Sequence, residues 1–243
     1  MARRRLGFWR RFAVAVVKPV MKVWTRRTWA GMDNMPQEDG VIIVANHLSH
    51  ADPLVIAHFI YDAGRWPQFL GKASIFKVPV LGWIITQCRQ IPVERGTVDA
   101  ARSLETLVTA VKDGGAVVIY PEGTTTKEPD LWPMRGKTGA ARLALATGAP
   151  VVPVVMWGPQ KIFDPRTSKI SLRPRIPVTV VGGPPIDLSR FAGAAPTRAT
   201  LDEATDAIMN QLRGMLADIR GGTPPLLWSP VAARRDAPAG EET

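Results

Sequence analysis

Along the chain, short apolar runs rich in valine and isoleucine alternate with stretches whose apolar positions recur every three to four residues. The runs Val41 to Ala45, Gln68 to Leu70, Ile91 to Val93, Ala116 to Tyr120, Val151 to Met156 and Val178 to Val181 predict strands. Unbroken runs such as VVIY and VVPVV predict strands buried on both faces. Between them, Pro53 to Tyr61, Val98 to Lys112, Lys137 to Thr147 and Leu201 to Arg220 have helical composition and period. Strands and helices alternating in this way make βαβ units, hence an α/β fold with one mostly parallel central sheet flanked by helices in a single domain. Proline and glycine crowd residues 158–185, which predicts a long loop around one strand. The expected organisation is an N-terminal amphipathic helical segment over 1–30, a main domain over 31–220 and a Pro/Gly-rich tail over 221–243. Leu226, Leu227 and Trp228 are the tail residues able to pin part of it.

On a helix, Trp9, Phe12, Ala13, Val16, Val20 and Trp24 share one face, with Arg4, Arg11, Lys18 and Lys22 opposite. The longest unbroken apolar run there is Phe12 to Val17, and nothing elsewhere reaches the roughly 18 to 20 residues a membrane span requires. Aromatic rings on one side and cations on the other are the pattern of a helix lying on an anionic bilayer. Lys18 and Pro19 interrupt the apolar stretch and no small-residue cleavage site follows, which argues against a signal peptide. Two other readings stay open: a surface helix docked on the core through its apolar stripe, and a basic arm for nucleic acid. Pro19 also leaves open whether the segment is one helix or two.

Charge sharpens this picture. The chain carries 31 Lys+Arg against 21 Asp+Glu, a net +10. Nine of those cations, Arg3, Arg4, Arg5, Arg10, Arg11, Lys18, Lys22, Arg26 and Arg27, precede the first acid, Asp33. Charge packed into one end points to a local role for that end. With 46% hydrophobic and 21% charged residues in 243, the composition is that of a folded domain and excludes wholesale disorder. The lone Cys88 makes no internal disulfide and no cysteine zinc site, and suits a reducing compartment.

Three clusters carry candidate chemistry. Asn46, His47, Leu48, Ser49, His50, Ala51, Asp52 and Pro53 follow the strand VIIVA and open a helix, the place where α/β sheets build sites. A turn there can fold His47 back onto a carboxylate five residues on, making a general base with a fixed tautomer. The same residues also read as a polar turn before a capped helix, or as metal ligands from His47, His50 and Asp52. No GxSxG nucleophile elbow is present. After the strand AVVIY come Pro121, Glu122, Gly123, Thr124 and Thr125, whose glycine and threonine amides can bind an anion and whose glutamate can bond a hydroxyl; a plain β-turn is the alternative. Arg95, in QIPVERG, ends another strand and can clamp phosphate, or pair on the surface with Glu94 or Asp99.

In order, NHLSHAD, QIPVERG, YPEGTT and VVPVV resemble the four blocks of the glycerolipid acyltransferases of the PlsC type, the 1-acylglycerol-3-phosphate acyltransferases. GKASIFKVPVLGWI and MRGKTGAARLA also match, so the resemblance covers about residues 40 to 156. It implies that His47 deprotonates a glycerol hydroxyl, which attacks the thioester of acyl-CoA or acyl-ACP, while Asp52 orients the imidazole and backbone donors hold the oxyanion. It further implies acceptor binding by Arg95, Glu122 and Gly123, with phosphate for the arginine, and a structural or acyl-path role for Pro153.

Tyr120 and Thr125 stand where the family commonly has phenylalanine and arginine, and Cys88 where a small residue is frequent. With that arginine missing, Arg95, Lys72 and Lys137 are expected to carry more of the head group. The apolar stretch from Ile75 to Ile85 reads as either an acyl slot or plain core. The resulting expectation is a peripheral enzyme on the cytoplasmic face of the cell membrane. It makes phosphatidic acid from lysophosphatidic acid, with no metal, no cofactor beyond the acyl donor, and no nucleic-acid partner. The same chemistry on glycerol-3-phosphate, another lysophospholipid or a glycolipid is the alternative, beside a non-catalytic lipid-binding module or a thioesterase.

Overall fold

The computed structural model describes residues 6–93 and 100–228. In chain order the elements are α1 (Phe8–Trp24), β1 (Thr25–Ala30), β2 (Val41–Ala45), α2 (Asp52–Asp62), β3 (Pro67–Lys72), α3 (Ala73–Phe76) and α4 (Leu81–Gln87). They continue with β4 (Ile91–Val93), α5 (Ala100–Lys112), β5 (Ala116–Ile119), α6 (Gly139–Thr147), β6 (Val151–Trp157), β7 (Ile176–Gly182) and α7 (Arg198–Arg220). Among the described residues the sheet has seven strands in the order β1-β7-β6-β2-β5-β3-β4. Every pairing is parallel except β6 with β7, so β7 and β1 run against the other five.

Strand β2 shows why the sheet sits centrally. All five of its residues are buried, and successive side chains point to opposite faces. Ile42 and Val44 join Leu107, Val111, Ala140, Leu143, Ile208 and Leu212 under α5, α6 and α7. Val41, Ile43 and Ala45 join Met21, Val55, Ile56 and Phe59 under α1 and α2. Between β1 and β2, Gly31 turns the chain at φ 69° beneath β7, where an added Cβ would lie 1.9 Å from the Gly182 carbonyl oxygen. Only glycine fits there without displacing the sheet.

The N-terminal segment departs from expectation in one respect, its boundary. Its helix ends at Trp24, and residues 25–30 are strand β1, paired along its whole length with β7, so the main domain begins before residue 31. The helix runs through Pro19 unbroken. Of the face described above, Trp9 and Trp24 pack on the domain while Phe12, Val16 and Val20 do not. Met21 is buried, Trp9 meets Trp83 of α4 edge-on at 4.6 Å between ring centres, and Lys18 turns inward to pair with Asp62 at 2.6 Å. Arg27 donates to His58 Nε2 at 3.1 Å beside that ion pair, and burial pushes the His58 ring down to about 4, so it accepts as the neutral form. Phe8, Phe12, Val16, Val20 and Val23 remain outside as an exposed apolar stripe.

Part of the expected tail is pinned: Leu227 packs on the core and the Trp228 carbonyl accepts from the Arg135 amide at 2.9 Å. The apolar stretch from Ile75 to Ile85 is not core, because it forms α3 and α4 with Ile75, Val78, Val80, Leu81 and Trp83 at the surface. No helix among the described residues is long and apolar enough to cross a membrane.

Candidate active site

Five of the strands point their C-terminal ends the same way, and the loops that follow β2 and β5 meet there. Asn46 leaves β2 fully buried and locks to β6 by two bonds, its amide donating to the Met156 carbonyl at 3.0 Å and its oxygen accepting from the Met156 amide at 2.9 Å. That fixes the exit direction of the chain just before His47.

The turn then closes on the carboxylate that begins α2. Asp52 is fully buried, and its Oδ2 accepts from His47 Nδ1 at 2.8 Å, from the Leu48 amide at 2.6 Å and from the Ser49 amide at 2.9 Å. Burial pushes this carboxyl above its ordinary range, while His47 and the two amides pull it back. Its place in the first turn of α2 puts the helix dipole on the side of the anion. An Nδ1–H held by the carboxylate leaves Nε2 as the basic nitrogen of His47, whose side chain keeps 15% of its exposure.

The loop after β5 holds the backbone of His47 from both sides. Glu122 Oε1 accepts the His47 amide at 2.9 Å, and the Thr126 amide donates to the His47 carbonyl at 2.7 Å. Glu122 Oε2 accepts the Met134 amide at 3.0 Å, and the residue is 3% exposed. An acceptor contact was expected of Glu122. The geometry assigns both oxygens to backbone amides instead, because a carboxyl group lying inside the loop satisfies N–H groups that would otherwise be orphaned. Tyr120, at the position where phenylalanine was expected, lies flat on the His47 ring, with centroids 4.2 Å apart and planes 18° from parallel. Neither contact was read from the sequence, since each joins residues more than seventy positions apart; the only signal was a buried strand ending in an aromatic residue beside PEGT.

The remaining candidates divide. Gly123 and Thr124 are exposed at the mouth, with Gly123 at φ 74°. The Gly123 amide is already donated to the Tyr120 carbonyl at 3.0 Å, so it is not the anion donor expected. Lys137 is brought to the same place: its amide donates to the Pro121 carbonyl at 2.8 Å and its ammonium lies over Gly123, 2.8 Å from where a Cβ would be. Lys72 ends β3 and pairs across to Val93, two strands from β2, or about 10 Å away at ordinary strand spacing. Arg95 lies outside the described residues. His50, the third residue considered for metal binding, packs edge-on against Phe163.

A family model described as Acyltransferase matches residues 26–157, more than half of the chain. The chain belongs to the acyltransferase family. Among curated relatives, a chloroplastic 1-acyl-sn-glycerol-3-phosphate acyltransferase of Brassica napus is 34% identical over 137 residues, covering 55% of this chain and 38% of the relative. One of Borreliella burgdorferi with the same activity in its name is 29% identical over 134 residues, covering 55% of this chain and 52% of the relative. The match thus spans between about a third and a half of these relatives' length. The crystal structure of PlsC, the 1-acyl-sn-glycerophosphate acyltransferase of Thermotoga maritima, superposes with a TM-score of 0.64 at 21% identity, covering 90% of this chain and 83% of that one. At that identity the likeness is one of fold, and the fold of the acyltransferase family is the one built above.

Proposed function

We propose that the protein transfers a fatty acyl group from an acyl thioester, carried by CoA or acyl carrier protein, to the free hydroxyl of 1-acylglycerol-3-phosphate, giving phosphatidic acid. The observation that carries this reading is the 2.8 Å bond between His47 Nδ1 and the buried Asp52 carboxylate. Nε2 removes the proton of the acceptor hydroxyl as its oxygen bonds to the thioester carbonyl carbon. Asp52 and the stacked Tyr120 ring steady the imidazolium. When the tetrahedral adduct collapses, the C–S bond breaks and the thiolate leaves with the proton from Nε2, so the base is restored without a covalent enzyme intermediate. The names of the curated relatives support lysophosphatidic acid as acceptor.

The acceptor is an amphiphile, and the exposed stripe of Phe8, Phe12, Val16, Val20 and Val23 on α1 gives the enzyme a means of meeting it on an anionic bilayer, as a peripheral protein on the cytoplasmic side. Arg11 and Lys22 flank the stripe and favour anionic lipid. The test of the reaction is to incubate purified protein with radiolabelled palmitoyl-CoA and lysophosphatidic acid, glycerol-3-phosphate or uncharged lysophospholipids in parallel. Label should pass into phosphatidic acid; label passing only into another product would assign another head group, and label found only as free fatty acid would make the protein a thioesterase.

Lys137 shares phosphate recognition with Arg95 in this reading, because Thr125 replaces the usual arginine. Lys137→Ala is expected to raise KM for lysophosphatidic acid about tenfold, the loss of one charged hydrogen bond, with a smaller change in kcat. An unchanged KM would move the phosphate away from Gly123.

A further inference from the structure

Residues 162–175 form a built hairpin rather than a loose loop. The Ser171 amide donates to the Ile162 carbonyl at 2.8 Å, Phe163 bridges Ile170, and the Asp164 amide donates to the Lys169 carbonyl at 2.9 Å. Asp164 Oδ1 caps the turn by accepting the amides of Arg166 at 2.8 Å and Thr167 at 3.1 Å. The chain then passes along the end of α1, where Trp24 Nε1 donates to the Ser171 carbonyl at 2.8 Å and the Arg175 amide to the Val23 carbonyl at 3.1 Å. Ile162 and Phe163 turn into the core, but the apolar side chains beyond the turn point outward. Leu172 is 85% exposed and Ile170 55%. Between the segment and α1 lies an open groove of about 540 Å³ lined by Pro19, Val20, Val23, Trp24, Leu172 and Pro174.

We infer that residues 164–175 are a second lipid-binding element, which inserts Ile170 and Leu172 into an anionic bilayer beside α1 and receives acyl chains in the groove between them. This rests on the bilayer docking of α1 proposed above. Charge decides the occupant. From residue 164 to 175 the segment holds Arg166, Lys169, Arg173 and Arg175 against one acid, Asp164, whose Oδ1 is taken up by the turn, and Lys169, Arg173 and Arg175 are exposed around the two apolar side chains. Exposed aliphatic side chains among a net excess of cations match acyl chains beneath phosphate head groups. Single-stranded nucleic acid would instead call for exposed aromatic platforms. The groove continues the apolar stripe of α1 through Val20 and Val23. At its other end the hairpin braces the candidate site, since Ser49 Oγ donates to the Phe163 carbonyl at 2.6 Å. A lipid held at residues 170–172 is therefore one hairpin away from the turn that carries His47.

Sedimentation with phosphatidylglycerol or phosphatidylcholine vesicles tests this, using wild type, an Ile170→Ser/Leu172→Ser double variant and a Phe12→Ser/Val16→Ser double variant. In parallel, Leu172→Cys in a Cys88→Ser background carries an environment-sensitive fluorophore. Wild type should bind phosphatidylglycerol vesicles, the hairpin variant at least tenfold more weakly with unchanged melting temperature, and the fluorophore emission should shift to the blue on those vesicles. Undiminished binding by the hairpin variant and an unmoved emission, while the α1 variant loses binding, would overturn the inference and leave the docking of α1 standing. Wild type that binds neither vesicle would overturn both. Dimers in solution that the hairpin variant abolishes would assign the surface to a second copy of the chain and overturn the inference.

Discussion

Replacing His47 with alanine is expected to lower acyl transfer to lysophosphatidic acid by about 10²–10⁴-fold, the range a positioned acid–base group contributes. The loss should fall on kcat, because the imidazole is asked to act in the transition state rather than to hold the acceptor. Melting temperature should also fall, because the variant loses the ring that stacks on Tyr120 and donates to the buried Asp52 carboxylate. The protein should still fold, since the backbone bonds to Glu122 and Thr126 and the Leu48 and Ser49 amides on Asp52 remain. Asp52→Asn is expected to lower the rate as well, because an amide can no longer pair as an anion with the imidazolium and can present N–H to Nδ1, favouring the wrong tautomer. Steady-state rates of both variants at saturating palmitoyl-CoA check this. A His47→Ala enzyme retaining more than a tenth of wild-type kcat would remove the imidazole from the mechanism.

The second large effect is expected at Glu122. Truncation to alanine leaves the His47 and Met134 amides without their acceptor inside the protein, which costs about 1–3 kcal/mol for each buried donor. Melting temperature should drop and kcat should fall more than tenfold as the His47 turn loosens, with KM for lysophosphatidic acid little altered. A raised KM at unchanged kcat would return Glu122 to acceptor binding. The same residue predicts a pH signature. Burial, above all, raises its carboxyl from 4.5 to about 8, against the pull of the Met134 and His47 amides. Between roughly those values the folded protein keeps a proton that the unfolded chain has released. The unfolded state binds fewer protons there, and the stability contributed by this group declines as pH rises through the window. Glu122→Gln does not titrate, so urea unfolding at pH values across that window should show a shallower fall of stability in the variant than in wild type.

How far the sequence reaches is seen best where it stops. The strands VIIVA, AVVI and VVPVV were legible because burial on both faces writes them as continuous apolar runs. TRRTWA was not, since β1 is an edge strand with half its residues at the surface, and what makes it a strand is β7, some 150 positions later. Which side of α1 packs inward stayed open for a related reason. Both sides of that helix carry apolar residues, and it takes the contacts of Met21, Trp9 with Trp83 and Lys18 with Asp62 to decide which one faces in. At the site, His47 and Asp52 were readable because five residues of one turn bring them together. The clamp by Glu122 and the Tyr120 ring was not, because PEGT looks like an exposed turn until the loop is folded against β2. The apolar side chains of the 164–175 hairpin were hidden among cations and prolines that read as loop.

Acyl transfer to lysophosphatidic acid is read most directly as thiol release from palmitoyl-CoA by the purified wild-type protein, followed with and without that acceptor. Release should depend on the acceptor and match phosphatidic acid formed one for one. Release at the same rate without acceptor would contradict acyl transfer.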